Sequence, residues 1–115
     1  MSHTDPTQLN TLADELLATA ASSHARRAGA GVYAEPGGVL RQVVTALLAG
    51  AELAEHEAPP EATLQVLRGS VRLNAPDRSW ELGAGELIAI PQARHSVQAL
   101  EDSVFLLTVV HATAS

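Results

Sequence analysis

The residues of this chain best suited to chemistry are two histidines, one inside a strand-like stretch and one after a short apolar strand and a proline. His56 lies in GAELAEHEAPPEATLQVLRG, residues 50–69, and His95 lies in GAGELIAIPQARHSV, residues 83–97, after a short apolar run and Pro91. An imidazole can ligate a metal or hold a polar group in a cavity, and the same ring also serves simply to satisfy backbone groups in a core. Arg94, beside His95, is suited either to clamp an anionic ligand or to lie solvated at a loop tip. His3 and His24 fall outside the strand-like part of the chain. His111 follows the last apolar run, at the surface or at the mouth of the fold.

Composition narrows the chemistry. Cysteine is absent, which removes disulfides, thiolate metal sites and a cysteine nucleophile together. The formal charge is -6, every basic residue is an arginine, and only Arg26 and Arg27 adjoin. A surface that replaces counterions along phosphates needs clustered positive charge, so no nucleic-acid partner is expected. Aromatic residues make up 3%, with Trp80, Tyr33 and Phe105 the candidates for stacking, which disfavours ring-stacked sugars or bases. No apolar run approaches the roughly 20 residues of a membrane span, and the first ten residues lack the basic and apolar regions of a secretory signal. A soluble, cytoplasmic protein with no membrane partner is the expectation. At 115 residues the chain suits one domain, long enough to bury roughly two-thirds of the surface its unfolded form exposes.

The elements that must position the histidines follow from periodicity. Asp5-Pro6 is a helix-start signal, and Leu9, Leu12, Ala13, Leu16, Leu17 and Ala20 recur at helical spacing, predicting one amphipathic helix over about 6–22. The AGAG run at 28–31 reads as a linker. Extended patterns then succeed one another: Val32-Tyr33, a turn at Glu35-Pro36-Gly37-Gly38, Val39 to Leu48, Ala51 to His56, Thr63 to Leu67, Val71 to Leu73, Ser79 to Leu82, a short buried strand from Leu87 to Ile90, and Val104 to Val110. About eight short strands at this spacing indicate a barrel or sandwich. Leu64, Val66, Leu73, Leu87 and Val104 are expected to line or fill it, and Trp80 to pack rather than recognise.

With these residues in view, the chain resembles the cupins, whose motifs read G-x5-H-x-H-x3-E-x6-G and G-x5-P-x-G-x2-H. Gly50, His56 and Gly69 keep the first spacing, Gly85 and Pro91 keep the second, and His95 arrives one residue early. The resemblance covers about residues 39–110. It implies an all-β fold, a small cupin-type β-barrel (double-stranded β-helix, or jelly roll) over residues 32–115, preceded over 1–31 by the amphipathic α-helix and linker. It also implies a site in which three imidazoles and one carboxylate hold a divalent transition metal (iron, manganese, nickel or zinc). Here the second motif histidine falls on Ala58, the glutamate on Ala62 and the glycine of the second motif on Ala93. His56 and His95 remain as metal candidates, with Glu57, Glu61 and His111, and also Glu52, as candidate additional ligands. Strand alternation turns Glu57 and Glu61 to the opposite face from Ala58 and Ala62 unless Pro59-Pro60 rearranges the strand.

Three functions fit these residues. The first is a small-molecule-binding protein whose metal site is reduced or lost and whose cavity, built from His56, Leu64, Val66, Arg94 and His95, takes a compact, largely apolar ligand. The second is a metal-dependent oxygenase or isomerase using His56 and His95. The third is a structural dimerisation module. Apolar residues at successive positions of 39–48 and 104–110 call for cover on both faces, so a homodimer is expected. The imidazoles of His56 and His95 are expected to share one cavity.

Overall fold

Leucine and alanine recurring every three or four residues wind the start of the chain into helix α1, Leu9–Ala21, whose Ala13, Leu16 and Ala20 are buried. The computed structural model describes residues 5–56 and 58–111, and of His56 the backbone only. The helix begins at Leu9 rather than Pro6. Gln8 occupies the N-cap with no side-chain hydrogen bond, so Asp5 does not cap. Its first turn therefore relies on packing rather than on capping. At the other end the Ser22 N–H donates to Thr19 O and the Ser23 N–H to Ala20 O, both at 3.1 Å, closing the last turn tightly.

Nine strands follow among the described residues: β1 (Arg27–Ala34), β2 (Leu40–Leu47), β3 (Glu52–His56), β4 (Glu61–Arg68), β5 (Ser70–Ala75), β6 (Arg78–Gly83), β7 (Leu87–Ala89), β8 (His95–Ala99) and β9 (Ser103–Val110). They form two antiparallel sheets, one in the order β1-β2-β9-β4-β7 and the other in the order β3-β8-β5-β6. This is an all-β sandwich of the jelly-roll kind with one helix. No helix among the described residues is long and apolar enough to cross a membrane.

Three elements differ from the sequence expectation. The AGAG run is not a linker but the middle of β1, with Ala28 opposite Ala46 and Ala30 opposite Val44. Glycine and alanine have weak strand preference, and the ladder with β2 overrides it. Strand β8 follows Pro91 where no strand was expected, because a five-residue alternation of His, Ser, Val, Gln and Ala carries little apolar signal. The stretch from Leu87 is an edge strand rather than a buried one: Leu87 is 63% exposed, and the buried residue is Ile90, just beyond β7.

Alternation along the strands divides the apolar residues between two cores. Between the sheets lie Leu47, Leu64, Val66, Val71, Leu73 and Phe105, all fully buried. On the outer face of the five-stranded sheet, Val44, Ala46 and Val104 pack with Ala13, Leu16 and Ala20 of α1, and Ala28, Ala30 and Val32 of β1 lie against the same cluster. Arg68 of β4 ties the helix down through Asp14 and the carbonyl of Asn10. For Val44, Ala46 and Val104 cover on the outer face comes from within the chain, whereas Val39 and Leu40, where β2 begins, stay 39% and 38% exposed. Truncating Leu16 to alanine should cost about 2–3 kcal/mol, from lost burial and the cavity left under the helix. Chemical denaturation should show that loss with an unchanged m-value.

The two sheets are joined at one end by a pair of connections that touch. The turn from β4 to β5 passes through Gly69, and the turn from β8 to β9 ends at Ser103, which is fully buried. The Ser103 hydroxyl accepts from the Ser70 N–H at 3.0 Å and lies within donating distance of Glu101 O (2.7 Å) and Ser70 O (2.9 Å). Ser70 Oγ in turn donates to the Glu101 carboxylate at 2.9 Å.

Candidate functional site

The inner faces of β3, β4, β8 and β9 converge at the opposite end of the sandwich on a cavity of about 90 Å³, partly open to solvent. Strand β4 alternates buried and half-buried from Ala62, so Ala62, Leu64 and Val66 share the inner face. Ala62 is opposite Val109 and Leu64 opposite Leu107 on β9, and these register pairs fix depth. Ala62, Leu107 and Val109 line the cavity, with Leu53 from β3 and Pro59 from the loop after it. Ile90, His95 and Val97 complete the wall.

His95 is 3% exposed and shares its inward face with Val97 and Ala99, while Ser96 and Gln98 are half-buried. Its early arrival relative to the resembled motif is therefore matched to the strand. Position 96, where the motif histidine falls, carries a serine on the other face of β8, with Asn74 Nδ2 3.5 Å from its Oγ. The His95 Nδ1 lies 3.0 Å from the carbonyl oxygen of Ala93. The Ala93 N–H donates to Pro91 O at 2.8 Å, a tight turn that brings this carbonyl under the ring.

Of the residues expected in the cavity, His95 lines it. Leu64 and Val66 do not; both are fully buried deeper in the sandwich and fill the core beneath. Arg94 is not among the lining residues either. Its Nε donates to a Glu55 carboxylate oxygen at 3.1 Å, with half of the arginine side chain exposed. Alternation places the guanidinium on the outside as surely as it places the neighbouring imidazole within. The backbone of His56 stands opposite His95 across the β3–β8 ladder, after a register shift that follows Leu53. Its side chain lies outside the described residues, as does Glu57. Glu61 and His111 are exposed, and Glu52 lies at the exposed start of β3. Sequence reading missed Leu53, Pro59, Ile90, Val97, Leu107 and Val109 as cavity residues. Alternation shows that such residues share a face but not where along the strand the cavity opens.

The donor set that the cupin resemblance implies does not fit the described residues. No group of three or more His, Asp or Glu side chains is placed to hold a metal ion among them. Ala62, where the motif carboxylate falls, presents a methyl group to the cavity and is 7% exposed. At the rim, the Gln92 amide donates to Pro59 O at 3.1 Å and, with the Arg94–Glu55 pair, ties the connection before β8 to β3 and the loop after it.

No protein-family model matches the sequence, and no curated protein does. Solved structures do. A conserved protein of unknown function from Streptococcus pyogenes superposes with a TM-score of 0.75 at 19% identity, covering 99% of this chain and 93% of the other. A cupin superfamily protein from Desulfitobacterium hafniense gives 0.71 at 13% identity, with 97% and 95% covered. An RmlC-like cupin from Desulfovibrio desulfuricans gives 0.64 at 23%, with 73% and 81% covered. Together with the two antiparallel sheets and the motif glycines at their turns, these likenesses establish that the chain has the cupin fold.

Proposed function

We propose that this chain is a small-molecule-binding protein in which the cupin cavity takes a compact, largely apolar ligand and lacks a complete set of metal ligands. The observation that carries the reading is Ala62. A methyl group lines the cavity beside His95 at the position where the resembled motif places its carboxylate. Without that carboxylate, the negative charge that offsets desolvation of a buried dication is gone, and neutral imidazoles do not replace it. What remains is an apolar recess with one imidazole in its described wall, the usual composition of a small-ligand site.

Titration calorimetry of the natural chain with zinc and with nickel tests the metal half of this reading. The expected result is no stoichiometric binding tighter than about 1 μM, a free energy of about -8.2 kcal/mol. Tight stoichiometric binding, supported by metal in the purified protein, would overturn it. The alternative would then be a metal-dependent oxygenase or isomerase drawing on His56, His95 and a carboxylate such as Glu57.

A further inference from the structure

The register that builds the cavity also carries one cation to its edge. Arg41 of β2 stands directly opposite Val109 of β9, and Val109 stands opposite Ala62 of β4. Residues directly opposite in an antiparallel ladder project from the same face, with Cβ atoms about 4.5–5.5 Å apart. Val109 and Ala62 line the cavity, so Arg41 lies on the same inner face, one strand beyond the wall. The alternation of β2 agrees: Val44 and Ala46 belong to the outer cluster with α1, and Leu47 to the core between the sheets. Arg41 is half-buried, and its other neighbour in the row is Ala34 of β1, so the row holds no counter-charge. Arg68, Arg72 and Arg94 each pair with a carboxylate, whereas the Arg41 guanidinium makes no ion pair or hydrogen bond among the described residues.

We infer that Arg41 selects a compact aliphatic monocarboxylate, whose body fills the cavity while its carboxylate meets the guanidinium at the edge; the inference rests on the binding reading above. A guanidinium stays charged and presents a planar fork that matches a carboxylate, and hydrogen bonds between the two are stronger than neutral ones. The chain carries a formal charge of -6, which repels anions at long range, so a preference for one has to come from a local cation. Leu53, Ile90, Leu107 and Val109 supply the hydrocarbon that rewards burial of the ligand body. A cavity of about 90 Å³ suits one small ring or branched chain. An arginine that only lays its stem on the sheet and keeps its head in water would not distinguish an acid from an alcohol of the same shape.

Two probes separate these cases: cyclopentanecarboxylate and cyclopentanol, titrated at pH 8 and low salt into the full chain. The readouts are NMR shifts of the Leu53, Leu107 and Val109 methyl groups and of the Arg41 Nε–H. Cyclopentanecarboxylate should shift the cavity methyls and the Arg41 Nε–H, and bind at least about tenfold more tightly than the alcohol, a difference of about 1.4 kcal/mol. Arg41→Gln should abolish that preference. Alcohol binding as tight as the carboxylate, a preference that survives Arg41→Gln, or carboxylate binding that leaves the Arg41 Nε–H unmoved would overturn the inference while leaving a binding cavity. Failure of both probes to move the cavity methyls would overturn the binding reading itself, and this inference with it. Should Arg41→Gln not fold, the Arg41 Nε–H shift of the natural chain still decides.

Discussion

Ala58→His combined with Ala62→Glu should raise affinity for zinc or nickel by about a hundredfold or more, about 2.7 kcal/mol, over the natural chain. The structure already brings two of the four motif positions together with His95, which stands one residue before the fourth. Ala62 and His95 line one cavity, and the backbone of His56 stands opposite His95 on the adjacent strand. Position 58, half-buried, follows on the same connection. The single change Ala62→Glu makes the argument sharper. It places a carboxylate against Leu107, Val109 and Ile90, and without metal it should destabilise the chain by about 2 kcal/mol. In the double variant a bound metal should restore that loss, because a ligand that binds only the folded state stabilises it in proportion to its saturation. Calorimetry gives the affinity, and melting curves with and without zinc give the linkage. If neither protein binds, the Pro59-Pro60 break or the early position of His95 has moved the donors out of register.

Gly69→Ala should be the most damaging single-methyl addition in the described chain, lowering stability by about 3 kcal/mol from left-handed backbone strain and overpacking combined. Gly69 has φ of +78°. A Cβ there would approach Asp102 O and the Ser103 hydroxyl to within 2.5 Å and Ser103 Cα to 2.9 Å. Two of these three are backbone atoms, and the third belongs to a fully buried serine held by three hydrogen-bond contacts, so none can step aside cheaply. Gly50→Ala is the control. It has a similar φ of +83° but nothing near its missing Cβ, so it should show the backbone strain alone. Thermal unfolding of the two variants separates strain from collision, and equal losses would show that the contact between the β4–β5 and β8–β9 turns contributes nothing.

Much of the fold was legible because its signals are local. The apolar stripe of α1, the turn at 35–38, the alternations of β4 and β5 and the continuous apolar run of β9 are written in neighbouring residues, and the glycines at 50, 69 and 85 mark turns whose φ is positive. What was read wrongly was equally local. A run of glycine and alanine has no strand preference of its own, yet it becomes β1 because β2 offers it a ladder and α1 covers its alanines. Leu87 has the composition of a core residue but lies on an edge, where the three-residue strand β7 meets β4 alone.

The candidate site divides along the same line. By itself the sequence determined that Ala62 stands at a motif position and His95 one residue before one, that alternation separates Ala62 from Glu61, and that cysteine and clustered positive charge play no part. Tertiary structure alone decided that His95 faces inward while Arg94 reaches Glu55 at the rim, that Leu64 and Val66 fill the core instead of the cavity, and that Leu107 and Val109 complete its wall. The reason is physical. Side-chain alternation is set by the backbone of one strand, but the depth of a residue within the sandwich depends on its register against a strand far away in the chain, as with Ala62 and Val109.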